Sequence, residues 1–119
     1  MQKIRPEFNK LIISLIIVGT SFFSSLALCE SHSVQMKSIT FEPKAISIKV
    51  GDSVQWINTS LTDHSATSFE TEKSKTKFDT GMIKPKKSSE KIIFKAVGNY
   101  FYNCKVHGKS MTGKISVMP

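Results

Sequence analysis

The chain has 119 residues, a length that fits one domain, and its 17 basic against 9 acidic residues give a formal net charge of +8. A basic balance can indicate nucleic-acid binding, but residues 30–119 contain no arginine and no basic helical segment, which argues against that function. These residues can bury a modest hydrophobic core but not a large one.

The N-terminal segment is typical of an export signal rather than of a folded domain. Three basic residues precede an uncharged, apolar run over residues 11–28, and small residues follow near its end. The pattern predicts a signal peptide over residues 1–29 and an exported domain over residues 30–119. Since no longer transit segment is present, the bacterial periplasm is the favoured compartment.

Three alternatives for this segment stay open. Cleavage can fall before Glu30 or after Ala27, because both positions offer small residues. The apolar run over residues 11–28 is also long enough to be a retained membrane anchor. Cys29 could instead carry a lipid, although Leu28 occupies a position where that processing prefers a small residue.

Short alternating segments predict an all-β domain after residue 30. Ile46, Ile48 and Val50 share one face of a strand, and Val54 and Trp56 point inward from the next. Tyr100 and Tyr102 are likewise assigned to the core. The predicted strands cover residues 34–41, 45–50, 53–58, 64–69, 78–82, 91–94, 100–104 and 113–117. Many short strands with glycine and proline turns favour a β-sandwich or a small barrel, and two packed sheets suit this size.

One segment contains most of the candidate chemistry. Cys104 follows an aromatic-rich strand, His107 lies in the next loop, and Met111 opens the final strand. A single exported cysteine indicates an intermolecular bridge, a reactive thiol or a metal ligand. A thiolate, an imidazole and a thioether together form a donor set suited to both Cu(I) and Cu(II). His64 is the suitable second histidine, because His32 lies too near the terminus to be a dependable ligand.

Other metal groups fit these residues less well. Haem attachment would require a second cysteine directly before the histidine, and residues 105–106 are Lys and Val. A structural zinc site would use more Cys or His and no Met.

The chain resembles the cupredoxins, in particular the plastocyanin, pseudoazurin and amicyanin group. The resemblance covers roughly residues 41–117 and is carried by segments 51–56, 78–81 and 98–102, by the first histidine, and by the Cys-x₂-His-x₃-Met loop. It implies an eight-stranded Greek-key β-sandwich with one type 1 copper ion near one end. It also implies His64, Cys104 and His107 as equatorial ligands and Met111 as the weak axial ligand.

The sequence departs from the family pattern at three places. The loop between His107 and Met111 is one residue longer than in amicyanins and one shorter than in plastocyanins. Relatives commonly carry Asn after the first histidine, where this chain has Ser65, so we expect a weaker or water-bridged tie between the ligand loops. Asp63 is also unexpected, and its carboxylate would favour Cu(II).

The resemblance implies one-electron transfer between redox partners, and a carrier of electrons is not an enzyme. Partners would dock transiently, and the excess of lysine in residues 30–119, 14 against 8 acidic residues, favours acidic ones or an anionic membrane surface. We expect a monomer that contacts a membrane only if the N-terminal segment is retained. The alternatives are a periplasmic copper carrier or chaperone, and a β-sandwich interaction module without metal.

His32 offers a second, separate possibility. If cleavage falls before Glu30, the new amine, two backbone amides and the third-position imidazole could bind Cu(II) in a square plane. The alternative is a disordered tail.

Overall fold

The computed structural model describes residues 28–71 and 77–119, which form two four-stranded sheets. The first sheet has the order β2-β1-β4-β6 and the second β3-β8-β7-β5. The strands are β1 (Ser31–Met36), β2 (Phe41–Glu42), β3 (Ala45–Lys49), β4 (Ser53–Asn58), β5 (Thr67–Ser68), β6 (Ile92–Ile93), β7 (Gly98–Cys104) and β8 (Gly108–Met118). The predicted eight-stranded Greek-key sandwich is confirmed.

The predicted targeting segment lies outside the described residues except at its C-terminal end. Cys29 is exposed there and has no disulfide partner. Within residues 28–71 and 77–119, no helix is long and apolar enough to cross a membrane.

Alternating burial along the strands builds the core between the two sheets. In β4 the inward side chains are Val54, Trp56 and Asn58, and the side chains between them are half-buried. In β7 the inward side chains include Tyr100 and Tyr102, so the prediction of core positions for both tyrosines is confirmed. Trp56 packs edge-on against Tyr102, with 5.5 Å between ring centroids.

Three predicted strands differ from the structure. Residues 34–41 do not form one strand, because a turn closed by the Lys37 amide and the Thr40 carbonyl, at 2.8 Å, separates β1 from β2. Residues 78–82 form no strand and make one isolated bridge, between Asp79 and Thr67. Residues 64–69 contribute only the two residues of β5 to a strand.

The outer end of β3 also differs from its predicted pattern. Ile48 is buried and Ile46 is half-buried, but Val50 is 41% exposed because the chain enters a turn there. Gly51 follows with a φ of 95°, a conformation that glycine adopts without steric cost.

The β1 and β4 strands run in parallel, so both strands begin at one end of the sandwich and finish at the other. His32 pairs in register with Val54 near the start of β4, whereas Met36 pairs with Asn58 at its end. The chain leaves the end of β4 and reaches His64 six residues later. The site described below therefore lies at the end of the sandwich away from His32.

Candidate metal centre

Cys104 is delivered to the core by the alternation of β7. It is the last residue of the strand and shares the inward face with Tyr100 and Tyr102. The register of β7 with β8 shifts between Asn103 and Cys104, and such an irregularity re-aims the adjoining side chain. The Cys104 side chain is completely buried.

His64 is held by a loop that Asn58 organises. The buried Asn58 amide donates to the Thr62 carbonyl at 2.7 Å and to the Ile83 carbonyl at 2.8 Å, while its oxygen accepts from the Ser60 amide and hydroxyl. His64 in turn exchanges two backbone hydrogen bonds with Ile83, of 3.1 and 2.7 Å. These bonds fix the backbone on both sides of the imidazole.

The His64 imidazole presents its two nitrogens to different partners. Nδ1 lies 3.7 Å from Cys104 Sγ, and Nε2 lies 3.3 Å from Thr62 Oγ1. A proton on Nε2 donated to the Thr62 hydroxyl would leave the Nδ1 lone pair facing the sulfur. Burial and the charge of His107 lower the pKa of His64, against a smaller raising effect of Asp63. The ring is therefore neutral near pH 7, the form that binds metals.

His107 completes a group of three donors. Its ring lies 5.0 Å from the His64 ring between centroids, and its Nδ1 is buried without a hydrogen-bond partner in the described part of the chain. One donor atom from each of His64, Cys104 and His107 lies within 4.8 Å of the other two. Buried polar atoms are rarely left unpaired, so the orphaned nitrogen itself points to a ligand.

Met111 lies deeper in β8 than the sequence predicts. The strand begins at Gly108 rather than at Met111, and the Met111 side chain is completely buried. The thioether is therefore shielded from solvent near the start of β8. Its role as the axial ligand stays a prediction.

The tie between the two ligand loops is direct. The Lys105 amide donates to the Ser65 hydroxyl oxygen at 3.0 Å, so of the two expected forms, a weaker or a water-bridged tie, the water-bridged one is wrong. Ser65 is fully buried, and its short side chain lies within hydrogen-bond distance of the loop that follows Cys104.

His32 lies in a second cluster at the other end of the sandwich. It is part of β1 rather than of a disordered tail, and its Nε2 lies 3.0 Å from Asp52 Oδ2. Glu30, His32 and Asp52 present ligand atoms within 4.8 Å of one another. The proposed square-planar site would need backbone amides from this segment, but the segment is paired with β4.

The family description "Copper binding proteins, plastocyanin/azurin family" matches residues 28–118. The chain belongs to this family. This cupredoxin is similar to plastocyanin from Nostoc punctiforme (strain ATCC 29133 / PCC 73102), with 26% identity over 131 residues that cover 93% of the chain and 92% of the relative.

Solved structures share the same fold. The reduced state of an amicyanin mutant matches with a TM-score of 0.65 and 26% identity, over 74% of this cupredoxin and 82% of that chain. A Cu-containing nitrite reductase from Thermus scotoductus SA-01 matches with a TM-score of 0.68 and 24% identity. That match covers 84% of this chain and 25% of the reductase, and it shows the fold alone.

The residues of the site fit a type 1 copper ion. Thiolate and thioether are soft donors, imidazole is intermediate, and a His₂Cys set with a weak axial Met is the arrangement that blue-copper proteins use. First-row metal bonds of about 2.0 to 2.3 Å would suit the 3.7 Å between Nδ1 and Sγ. The predicted cofactor, one type 1 copper ion, is confirmed by the family and by this donor set.

Some residues of the site were missed by the sequence prediction. Asn58 organises the His64 loop, and a polar residue on the buried face of β4 was a signal that could have identified it. Thr62 beside the His64 ring carries no such signal, and Asp79 lies in the segment 78–81 of the resemblance, but its contact with Lys105 is made only in the folded chain.

Proposed function

We propose that this cupredoxin carries single electrons between redox partners, with copper held by His64, Cys104, His107 and Met111. The observation that supports the proposal is the assembly of three donor residues, two buried and one half-buried, with ligand atoms within 4.8 Å of one another. When bound, the copper ion supplies the one-electron couple between Cu(II) and Cu(I). Accepting and passing on an electron leaves the protein unchanged, so we propose a carrier rather than an enzyme.

The protein contributes a site whose backbone is held by its own hydrogen bonds. Cys104 and His64 are completely buried, and the His64 loop is fixed by the bonds of Asn58 and Ile83. Ligand atoms held in this way cannot rearrange freely when the charge of the site changes. We therefore propose that rigidity of the donor set keeps the reorganisation on electron transfer small.

His107 is the proposed point of contact with partners, because it is the least buried of the three grouped donors. Its neighbour Val106 is 62% exposed, and Leu61 on the loop before His64 is 87% exposed. Exposed apolar side chains around a half-buried ligand suit a small, transient interface. Lys84, Lys86 and Lys87 follow Ile83, the residue bridged to His64, and would favour an acidic partner.

We also propose that the protein works after export, in the bacterial periplasm, with residues 1–29 as its targeting segment. The composition of that segment supports the proposal. Retention of the segment would instead place the cupredoxin domain at a membrane surface.

The test separates an electron carrier from a copper carrier. The copper-loaded protein is reduced and reoxidised repeatedly at an electrode in the presence of an excess of chelator. We expect a reversible one-electron response with one copper per chain retained, because the donors are buried and shielded from exchange. Loss of copper to the chelator within the first reduction would contradict electron transfer and favour the alternative of copper delivery.

A further inference from the structure

Four residues near the metal centre form a closed ring of polar contacts. The Lys105 amide donates to Ser65 Oγ at 3.0 Å, and Ser65 Oγ lies 2.9 Å from Thr67 Oγ1. Thr67 Oγ1 donates to Asp79 Oδ1 at 3.1 Å, and Asp79 Oδ2 lies 2.6 Å from Lys105 Nζ. Lys105 therefore contributes two groups to the ring, its backbone amide and its side-chain ammonium.

The Asp79 carboxylate fixes the direction of every hydrogen bond in this ring. A carboxylate only accepts, so Thr67 must give its single hydroxyl proton to Asp79. Ser65 must then donate its own proton to Thr67, which leaves Ser65 Oγ with lone pairs alone. With its proton used in this way, Ser65 Oγ is held in place to accept from the Lys105 amide.

Asp79 is held in its ionised form by its neighbours. Burial alone would raise the pKa of Asp79, but hydrogen bonds from Lys105, Gly81 and Thr67, with the Lys105 charge, outweigh burial and lower it. Gly81 contributes its amide to Oδ1 at 2.8 Å. All three donors point at the carboxylate, so it stays an acceptor at neutral pH.

The ring joins the residues that directly follow His64 and Cys104, two of the three grouped donors. Ser65 follows His64 and Lys105 follows Cys104 in the chain, and the Nδ1 and Sγ atoms of that pair are 3.7 Å apart. Asp79 and Lys105 are 40% and 53% exposed, so their ion pair by itself contributes little to stability. Ser65 is fully buried, and its bond to the Lys105 amide is protected from solvent.

We propose that Thr67 and Asp79 are positioning residues that hold the His64 and Cys104 donor atoms at metal-binding separation before a metal arrives. They act through the hydroxyl chain, because Thr67 takes the Ser65 proton and so holds Ser65 Oγ where its lone pairs meet the Lys105 amide. The inference rests on the proposed function only in that it takes these two donors as copper ligands. The ring itself involves no metal and can be tested without one.

The experiment compares variants of the metal-free full chain by amide hydrogen exchange and then measures copper release to a chelator. Thr67→Val keeps the shape of the side chain but removes the hydroxyl, and Asp79→Ala removes the final acceptor. Glu70→Gln is the matched control, because Lys77 and Glu70 form another exposed ion pair, at 3.0 Å. Thr67→Ser keeps the hydroxyl and should therefore behave as the wild type does.

We expect the Lys105 amide to exchange about five- to tenfold faster in Thr67→Val and Asp79→Ala, the factor that corresponds to one hydrogen bond. Copper release should become faster by a similar factor, about fivefold, because the binding-competent arrangement is less populated. Glu70→Gln and Thr67→Ser should stay within about twofold of the wild type by both measurements.

Two results would overturn the proposal. Unchanged Lys105 exchange in Thr67→Val would show that the ring does not hold the amide. Faster exchange with unchanged copper release and an unchanged copper spectrum would show that the ring has no influence on the ligands. Failure of the wild type to form a blue copper complex would contradict the proposed function, whereas the exchange measurement would still decide whether the ring exists.

Discussion

Asp63 places a carboxylate beside the first candidate ligand, but its side chain is exposed to solvent. Its charge raises the pKa of His64 slightly, against the larger lowering effects of burial and His107. The same charge should stabilise the more positive oxidation state of a nearby metal. Water screens the interaction, so its size is limited to about 1 kcal/mol.

We therefore expect Asp63→Asn to raise the reduction potential of the copper-loaded protein by at most about 40 mV. Redox titration of the purified variant measures the change directly. Glu42→Gln serves as the control, since Glu42 is exposed and its ion pair is with Lys37 in the β1–β2 turn. A potential that is unchanged or lowered in Asp63→Asn would contradict the expectation.

Asp52 ties the start of the described domain to the end of the sandwich remote from the ligands. Hydrogen bonds from the Glu30 amide, the Lys49 amide and His32 lower its pKa from 3.8 to about 2, against the opposing effect of burial. A carboxyl group whose pKa is lower in the folded state stabilises the fold above its unfolded pKa. That stabilisation is lost as the pH falls through the folded pKa.

The melting temperature of Asp52→Asn should accordingly lie below that of the wild type at pH 5 to 7. The difference should shrink as the pH falls from about 4 towards 2, because the wild-type carboxyl group then becomes protonated. Thermal unfolding of both proteins across this range measures the effect. A difference that is constant with pH would show that the charge of Asp52 is not involved.

The grouping of His64, Cys104 and His107 could be predicted from the sequence because their chemistry is rare and their order is informative, whereas the ligand role of Met111 stays a prediction. Cys104, His107 and Met111 stand within eight residues, and His64 was the suitable remaining histidine. The bond between His32 and Asp52 could not be predicted in this way. It joins side chains 20 residues apart that meet only because β1 and β4 pair in parallel.

At the scale of elements, the β7–β8 hairpin carries Cys104 and packs tightly across its own face. Gly113 pairs with Tyr102 in register, and a Cβ atom at Gly113 would overlap the tyrosine ring, including its Cε2 at 2.7 Å. The ring cannot move aside easily, because Phe41 packs 4.7 Å from it and Trp56 packs 5.5 Å from it between centroids.

Gly113→Ala should consequently lower the free energy of unfolding by about 1 to 3 kcal/mol, the usual cost of overpacking a core. Ser110→Ala, an exposed change in the same strand, should alter it by no more than about 0.5 kcal/mol. Urea denaturation measures both. The cost of Gly113→Ala should also fall in a Tyr102→Leu background, and equal costs in the two backgrounds would contradict a steric cause.

The strands that could be predicted are the ones in which alternation continues over several residues. The burial pattern of β4 follows its sequence pattern, as does that of β7. Residues 78–82 have apolar side chains only at their two ends, Gly81 has a φ of 71°, and the Thr80 hydroxyl accepts from the Ala66 amide at 2.9 Å. Such single contacts replace the regular hydrogen bonds of a strand. They depend on Ala66, which is 14 residues away in the sequence.

At the scale of the whole molecule, the charge of the chain should govern how partners approach. Residues 30–119 carry 14 lysines and 8 acidic residues, and Lys84, Lys86 and Lys87 are exposed beside the segment bridged to His64. Opposite charges accelerate encounter at low salt, where the screening length is about 30 Å, and much less at 0.15 M, where it is about 8 Å.

Electron transfer to an acidic redox protein should therefore slow by about tenfold or more between 0.01 and 0.15 M ionic strength. Stopped-flow measurement under second-order conditions gives the rate. A basic redox protein of similar potential is the control, and its rate should not fall with added salt. The same salt dependence for both partners would contradict electrostatic steering by the lysines.

The most direct test of the account is the visible spectrum of the purified protein during titration with Cu(II). Coordination by Cys104, His64 and His107 predicts an intense blue colour that saturates at one copper per chain. Cys104→Ala should abolish the colour, whereas Cys29→Ala should keep it, because Cys29 is exposed and stands outside the donor group. A colourless wild type, or a blue Cys104→Ala variant, would contradict the assignment of this site.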